Sequence, residues 1–131
     1  MQAPSIDIAE MLEAESVLAL TFGTNLFVGK EPITPANCVT IFDTYGHAPQ
    51  LGLTTQGYEF PTIQIRVRNI DYVDGWNIIE SIKEKLHGIG NITWDGTFYA
   101  AIYCAYGPGL LDWDDNSRAR FIINFNIQRR S

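Results

Sequence analysis

Histidine and cysteine are scarce in this chain, basic side chains are scarce in its first half, and each scarcity removes a class of function. Two histidines occur in 131 residues, His47 in a polar stretch and His87 at the close of a helical one. Neither has an evident nucleophile or base as partner, and His87 reads more simply as a residue placed against a helix C-terminus. Cys38 and Cys104 are too far apart to make a metal motif and sit in strand-like runs, where a thiol behaves as a small buried hydrophobe. Neither has a neighbouring base to activate it. Reduced thiols are expected, a disulfide between the two being the alternative. No segment reaches the apolar length of a membrane span. The opening MQAPSIDIAE carries neither the basic region nor the apolar run of an export or transit signal, so a soluble protein of cytoplasmic origin is expected. Residues 1 to 61 hold seven acids and one base, residues 62 to 131 eight of each, and the net charge is −6. A uniformly basic nucleic-acid binder is thereby excluded, although Arg66, Arg68, Arg118, Arg120, Arg129 and Arg130 could form a local positive patch.

What is present describes one folded domain. A hydrophobic share of 46% and a charged share of 18% are those of a globular protein, and the length suits a single core over residues 1–131. The segment from Phe60 to Gly88 passes directly from period two to period 3.6. Ile63, Ile65 and Val67 alternate with Gln64, Arg66 and Arg68, which predicts a strand with one dry and one wet face. Asp71 then caps a helix in which Tyr72, Trp76, Ile79, Ile82 and Leu86 form one stripe, ending in Lys83, Lys85 and Gly88. An earlier helix is expected over Asp7–Glu15, with Asp7 as its cap and Glu10 three residues on. Short strands are expected at Leu26–Val28 and Cys38–Phe42. Asp43–Gly57 reads as a long loop, either a surface excursion or an interface arm.

Asp95-Gly96 between Ile92–Trp94 and Thr97–Tyr106 is a strong hairpin signal. Arg120–Gln128 closes the chain, with Phe121, Ile123, Phe125 and Ile127 opposite Asn124, Asn126 and Gln128. Gly107–Ser117 reads as a loop exposing acids beside Leu110, Leu111 and Trp113. The order predicts an α+β fold, a mostly antiparallel sheet with two main helices packed on one face.

No chemical apparatus stands out. Asp112, Asp114 and Asn116 imitate the first ligand positions of a calcium loop, but Ser117 stands where the sharp turn wants glycine and Ile123 where the closing glutamate belongs. Gly88-Ile89-Gly90 follows a helix, whereas a phosphate cradle must precede one. Trp94, Trp113, Tyr99, Tyr103 and Tyr106 read as packing residues on strands rather than as base-stacking platforms. No catalytic residue, metal ligand or cofactor site is expected.

Four pieces of the chain carry a resemblance. They are Ile6–Leu12, Asn25–Gly29, the Tyr58–Arg68 strand with its Tyr72–Gly88 helix, and Arg120–Ile127. In order, length and texture they resemble the small minor capsid or tail-terminator proteins of long-tailed bacteriophages and prophages. That resemblance implies an architectural role: a homo-hexameric ring on the end of the tail tube that stops its polymerisation and meets the head–tail connector, with DNA passing through the lumen. It implies a place in the virion tail or neck after assembly in the host cytoplasm, and partners in the major tail tube protein and the connector or stopper, with no membrane.

A ring needs two unlike patches that meet. The expected candidates are the strand face bearing Arg66, Arg68, Asn124 and Asn126 against the first helix bearing Glu10, Glu13 and Glu15, and the segments around Leu51, Leu53 and Trp113 against tube or connector. The acidic first half would suit a lumen that does not grip a polyanion, or equally an acidic outer surface. Alternatives are a head-completion or stopper protein, a small metal-dependent hydrolase using Asp112, Asp114 and Asp115, and a generic interaction module.

Overall fold

In the computed structural model, which describes residues 1–50 and 57–130, one sheet carries two helices on a single face. The chain runs α1 (Pro4–Ala14), β1 (Leu26–Val28), β2 (Cys38–His47), β3 (Phe60–Asn69), α2 (Tyr72–Leu86), β4 (Ile92–Trp94), β5 (Thr97–Trp113) and β6 (Ala119–Arg130). The sheet order is β1-β2-β3-β6-β5-β4, antiparallel throughout except for the short β1–β2 pair. None of the described helices is long and apolar enough to cross a membrane.

The alternation in β3 and β6 does what the sequence predicts. Ile63, Ile65 and Val67 lie beside Phe125, Ile123 and Phe121, all fully buried, and the helices cover them. The stripe of α2 buries Ile79, Ile82 and Leu86, while Trp76 and Tyr72 stand edge-on to Phe121. Gly75 allows this contact, because a Cβ there would come within 2.8 Å of the Phe121 ring. Asp71 caps the helix by accepting from the Asp74 N–H at 2.9 Å. The hairpin also forms as expected, with Asp95 and Gly96 both at positive φ, as a primed two-residue turn requires.

Three expectations are corrected. The first helix begins at Pro4, not Asp7, since proline at the first position is pre-set for a helix and lacks only an N–H that would be unpaired anyway. Asp7 therefore lies inside the helix and is fully buried, where Tyr99 Oη and Gln2 Nε2 donate to it and Arg129 Nη1 stands 3.7 Å away. Asp43–His47, expected within a loop, continues β2, and Asp43 takes two hydrogen bonds from Ser5 at 3.0 and 2.6 Å. The remainder of that expected loop, with Leu51 and Leu53, lies outside the described residues. Gly107–Trp113, also expected as loop, is strand. β5 shifts register four times along β6, and these bulges absorb the extra residues that hide its alternation.

The buried Asp7–Arg129 pair predicts a penalty when one partner goes. Asp7→Ala should lower unfolding free energy by about 1–3 kcal/mol, the cost typical of buried donors left unpaired, since Arg129 keeps Glu59 at 2.7 Å, measured by urea unfolding. A loss below about 1 kcal/mol would show that the pair does not hold α1 to the sheet.

Candidate functional site

Among the described residues, the sheet face opposite the helices is bare of any helix. Register places Thr44, Thr62, Asn126 and Tyr103 in one row across it, and Phe42, Gln64, Asn124 and Tyr106 in the next. The rows are knit by neutral hydrogen bonds. The Thr44 and Thr62 hydroxyls lie 2.6 Å apart, Gln64 Nε2 donates to Asn124 Oδ1 at 3.4 Å, and Arg66 Nε donates to Gln64 Oε1 at 3.0 Å. Arg66 has its guanidinium 4.8 Å above the Phe42 ring, and Arg130 lies 5.3 Å from both Tyr58 and Phe98. Neither arginine has a carboxylate partner among the described residues. Tyr103 and Tyr106 rise exposed from this face. It can offer donors, acceptors, aromatic rings and two cations to a neighbour, and at the far end of β2 His47 lines a shallow hollow with Thr62, Tyr103 and Asn126.

At the end of the sheet where β2 and β6 begin, three arginines hold the segment between β1 and β2. Arg68 donates to the carbonyls of Pro35 (2.8 Å), Ala36 (3.1 Å) and Ile33 (3.3 Å) and pairs with Glu31 at 3.4 Å. Arg118 Nη1 donates to the Ile33 carbonyl at 2.8 Å, and Arg120 reaches Glu31 at 3.1 Å. The aspartates of the expected acidic loop belong to the same framework. Arg120 forks onto both Asp112 oxygens at 2.6 and 2.5 Å. Asp114 accepts from the Arg118 side chain at 2.7 Å and from the backbone N–H groups of Arg118 and Asn116 at 2.9 and 3.0 Å.

The Arg120 guanidinium, hydrogen-bonded to Asp112, holds that carboxyl below the usual carboxylate range. Desolvation pushes the Asp114 carboxyl up, but its hydrogen bonds from Arg118 and Asn116 outweigh this and leave it lowered too. Both carboxylates are thus engaged in turn and strand structure. Among the described residues, no three His, Cys, Asp or Glu side chains form a group that could hold a metal. Burial pushes both the Cys38 and Cys104 thiols up, away from the reactive thiolate. His87 Nδ1 accepts from the Cys104 N–H at 2.9 Å, so it ties α2 to β5.

Of the expected interface residues, Arg66, Asn124 and Asn126 lie on this face, Asn124 buried at 7% exposure and the other two half-buried. Arg68 does not offer its charge to a partner: at 3% exposure it is enclosed by the segment it clamps. Glu10 accepts from Gln2 Nε2, Glu13 from the Phe22 N–H and Glu15 pairs with Lys85 at 3.8 Å, on the helical side of the sheet. Trp113 stacks on Tyr72 with ring centroids 6.2 Å apart, half exposed at the clamped end. The sequence reading missed Ile33, Ile70 and Val73, which stand exposed at that end. The signal for them was apolar residues off any stripe, between prolines in Pro32-Ile33-Thr34-Pro35 and just ahead of the helix in Ile70-Asp71-Tyr72-Val73.

Comparison with known proteins agrees with the fold and its texture. A family model described as "Bacteriophage tail terminator protein" matches residues 11–130. A chain from the solved "Virion of native gene transfer agent (GTA) particle" is 14% identical over 98% of this chain and 96% of that one, with a TM-score of 0.71, which establishes a shared fold. No curated protein matches the sequence.

Asp112 and Asp114, lowered in the fold, stabilise it above the ordinary carboxylate pKa, and this contribution is lost as pH falls through their lowered values. The double variant Asp112→Asn/Asp114→Asn should therefore be less stable than the parent at pH 7, with the gap closing as pH falls below the ordinary carboxylate range. A gap unchanged from pH 7 to 2, measured by denaturant unfolding, would remove the charges from this role.

Proposed function

The chain belongs to the bacteriophage tail terminator family, and from that premise we propose that it forms a hexameric ring at the head-proximal end of a tail tube. There it ends polymerisation of the major tail tube protein and presents its other side to a head–tail connector or stopper. The observation that carries this reading is the family match, which runs from within α1 to the last strand. The site geometry supports it: the charged groups near Asp112 and Asp114 are spent on one another, and the extended surfaces are faces and ends rather than a catalytic cleft. DNA passes through the ring without base-specific contacts, and the finished protein resides in the virion tail or neck.

A ring joins unlike patches. The bare face supplies one, with Arg66 and Asn126 at its surface over the buried Asn124. The outer side of α1 supplies the other, where Glu13 is exposed while Glu10 and Glu15 are partly so. Arg66 of one copy meets Glu13 of the next. Leu51, Leu53 and Trp113 remain for contact with tube or connector.

Deletion of the gene from the source phage or prophage should yield overlong or headless tails beside DNA-filled heads in electron micrographs. Tails of normal length with leaking heads would instead identify a stopper, and normal infectious particles would overturn the architectural role. Within the ring, Arg66→Glu should lower assembly about tenfold without changing the melting temperature, a loss on the order of 1.4 kcal/mol per contact. Adding Glu13→Arg should restore rings. Failure of the double reversal to restore them would separate the two residues.

A further inference from the structure

One end of the sheet gathers apolar side chains that the fold does not bury. Ile33 is 77% exposed, Ile70 62%, Val73 61%, Trp113 51% and Tyr72 45%. They come from three separate segments fixed to one another. Arg68 and Arg118 both donate to the Ile33 carbonyl, Ile70 N–H donates to Asn37 Oδ1 at 2.9 Å, and Tyr72 stacks on Trp113. Buried guanidiniums thus hold an isoleucine out in water between prolines. Scattered apolar residues on a surface are ordinary, but five held at one end of the sheet on a rigid support mark a contact site.

Its rim is acidic: Asp71, Asp74 and Asp115 are exposed, and none pairs with a base among the described residues. One exposed base, Lys30, shares a hollow with Ile33 at the edge of the group, so the rim is net acidic, three carboxylates to one ammonium.

We infer that this end, where α2 starts, docks another virion protein through an apolar surface with a basic rim. The inference rests on the tail-protein reading and deepens it by assigning one end of the subunit to one partner chemistry. A second copy meeting this end symmetrically would bring three exposed carboxylates against three, which like-charge repulsion opposes. A different protein with lysines or arginines around an apolar surface satisfies both parts of the patch.

The test complements a deletion strain with the full chain carrying either Ile33→Ser/Val73→Ser or Asp74→Asn/Asp115→Lys. Copies of the chain per purified particle are counted by quantitative mass spectrometry, and self-association of the purified protein is followed by sedimentation. Ile33 and Val73 lie outside the core, so parent-like melting is expected. Both variants should self-associate as the parent does, while their abundance in particles falls about tenfold or more, as loss of central interface anchors does. Parent-like abundance of either variant would overturn the inference and leave the tail reading standing. Loss of self-association would overturn it in favour of a copy-to-copy contact. Absence of the parent chain itself from particles would overturn the tail reading, and this inference with it.

Discussion

The buried contact among Asp7, Tyr99 and Arg129 is the constraint on which the arrangement of layers rests. Asp7 is fully inside, and a carboxylate there is tolerable only with its lone pairs taken. Tyr99 and Gln2 donate to it, and Arg129 stands beside it while also bonding Glu59 at 2.7 Å and the Gln2 carbonyl at 3.0 Å. Desolvation and the neighbouring Asp7 push the Tyr99 hydroxyl well above its ordinary pKa, so it stays a proton donor across the range in which the protein is folded. Residues from the first turn of the chain, from the start of β5 and from its last strand meet at one point. That junction fixes where α1 crosses the sheet. With α1 and α2 side by side on that face, the opposite face is left uncovered.

The same logic redistributes charge. Each of the seven acids of the first half makes a hydrogen bond or ion pair inside the fold. Several of their partners, Lys85, Arg68, Arg120 and Arg129, come from the second half. An imbalance along the sequence is therefore no guide to a one-sided field in space. Among the charges left on the surface are the two ring-stacked arginines of the polar face and the carboxylates beside the apolar end.

The two ends of the sheet are thus chemically unlike. Salt bridges and arginine-to-carbonyl bonds rigidify one, and its surplus apolar surface is held out on that rigid frame. The other is closed by the Asp7 junction. A subunit with unlike ends and one bare face suits an assembly in which neighbours of different kinds sit above, below and beside it. The bonds that fix the segments of the apolar end would keep the conformational cost of a contact there low.

Local patterns were legible without any structure. Strict alternation in β3 and β6, the Asp71 cap, the α2 stripe and the Asp95-Gly96 turn each depend on residues within a few positions of one another, and each formed as read. The family texture was legible for the same reason, since it rests on the order of such elements. Tertiary structure alone decided the fate of Asp7, which has the spacing of a cap and the surroundings of a core residue. It made Gly107–Trp113 a strand, because pairing with β6 supplies hydrogen bonds that outweigh glycine, proline and broken alternation. It also withdrew Arg68 from the wet face that its place in the alternation promised, by laying the Ile33–Ala36 carbonyls across it. Asp7 and Arg68 meet groups tens of residues away, and the end of β5 meets β6 across a bulged hairpin, so sheet register and helix placement rather than residue preference set each outcome.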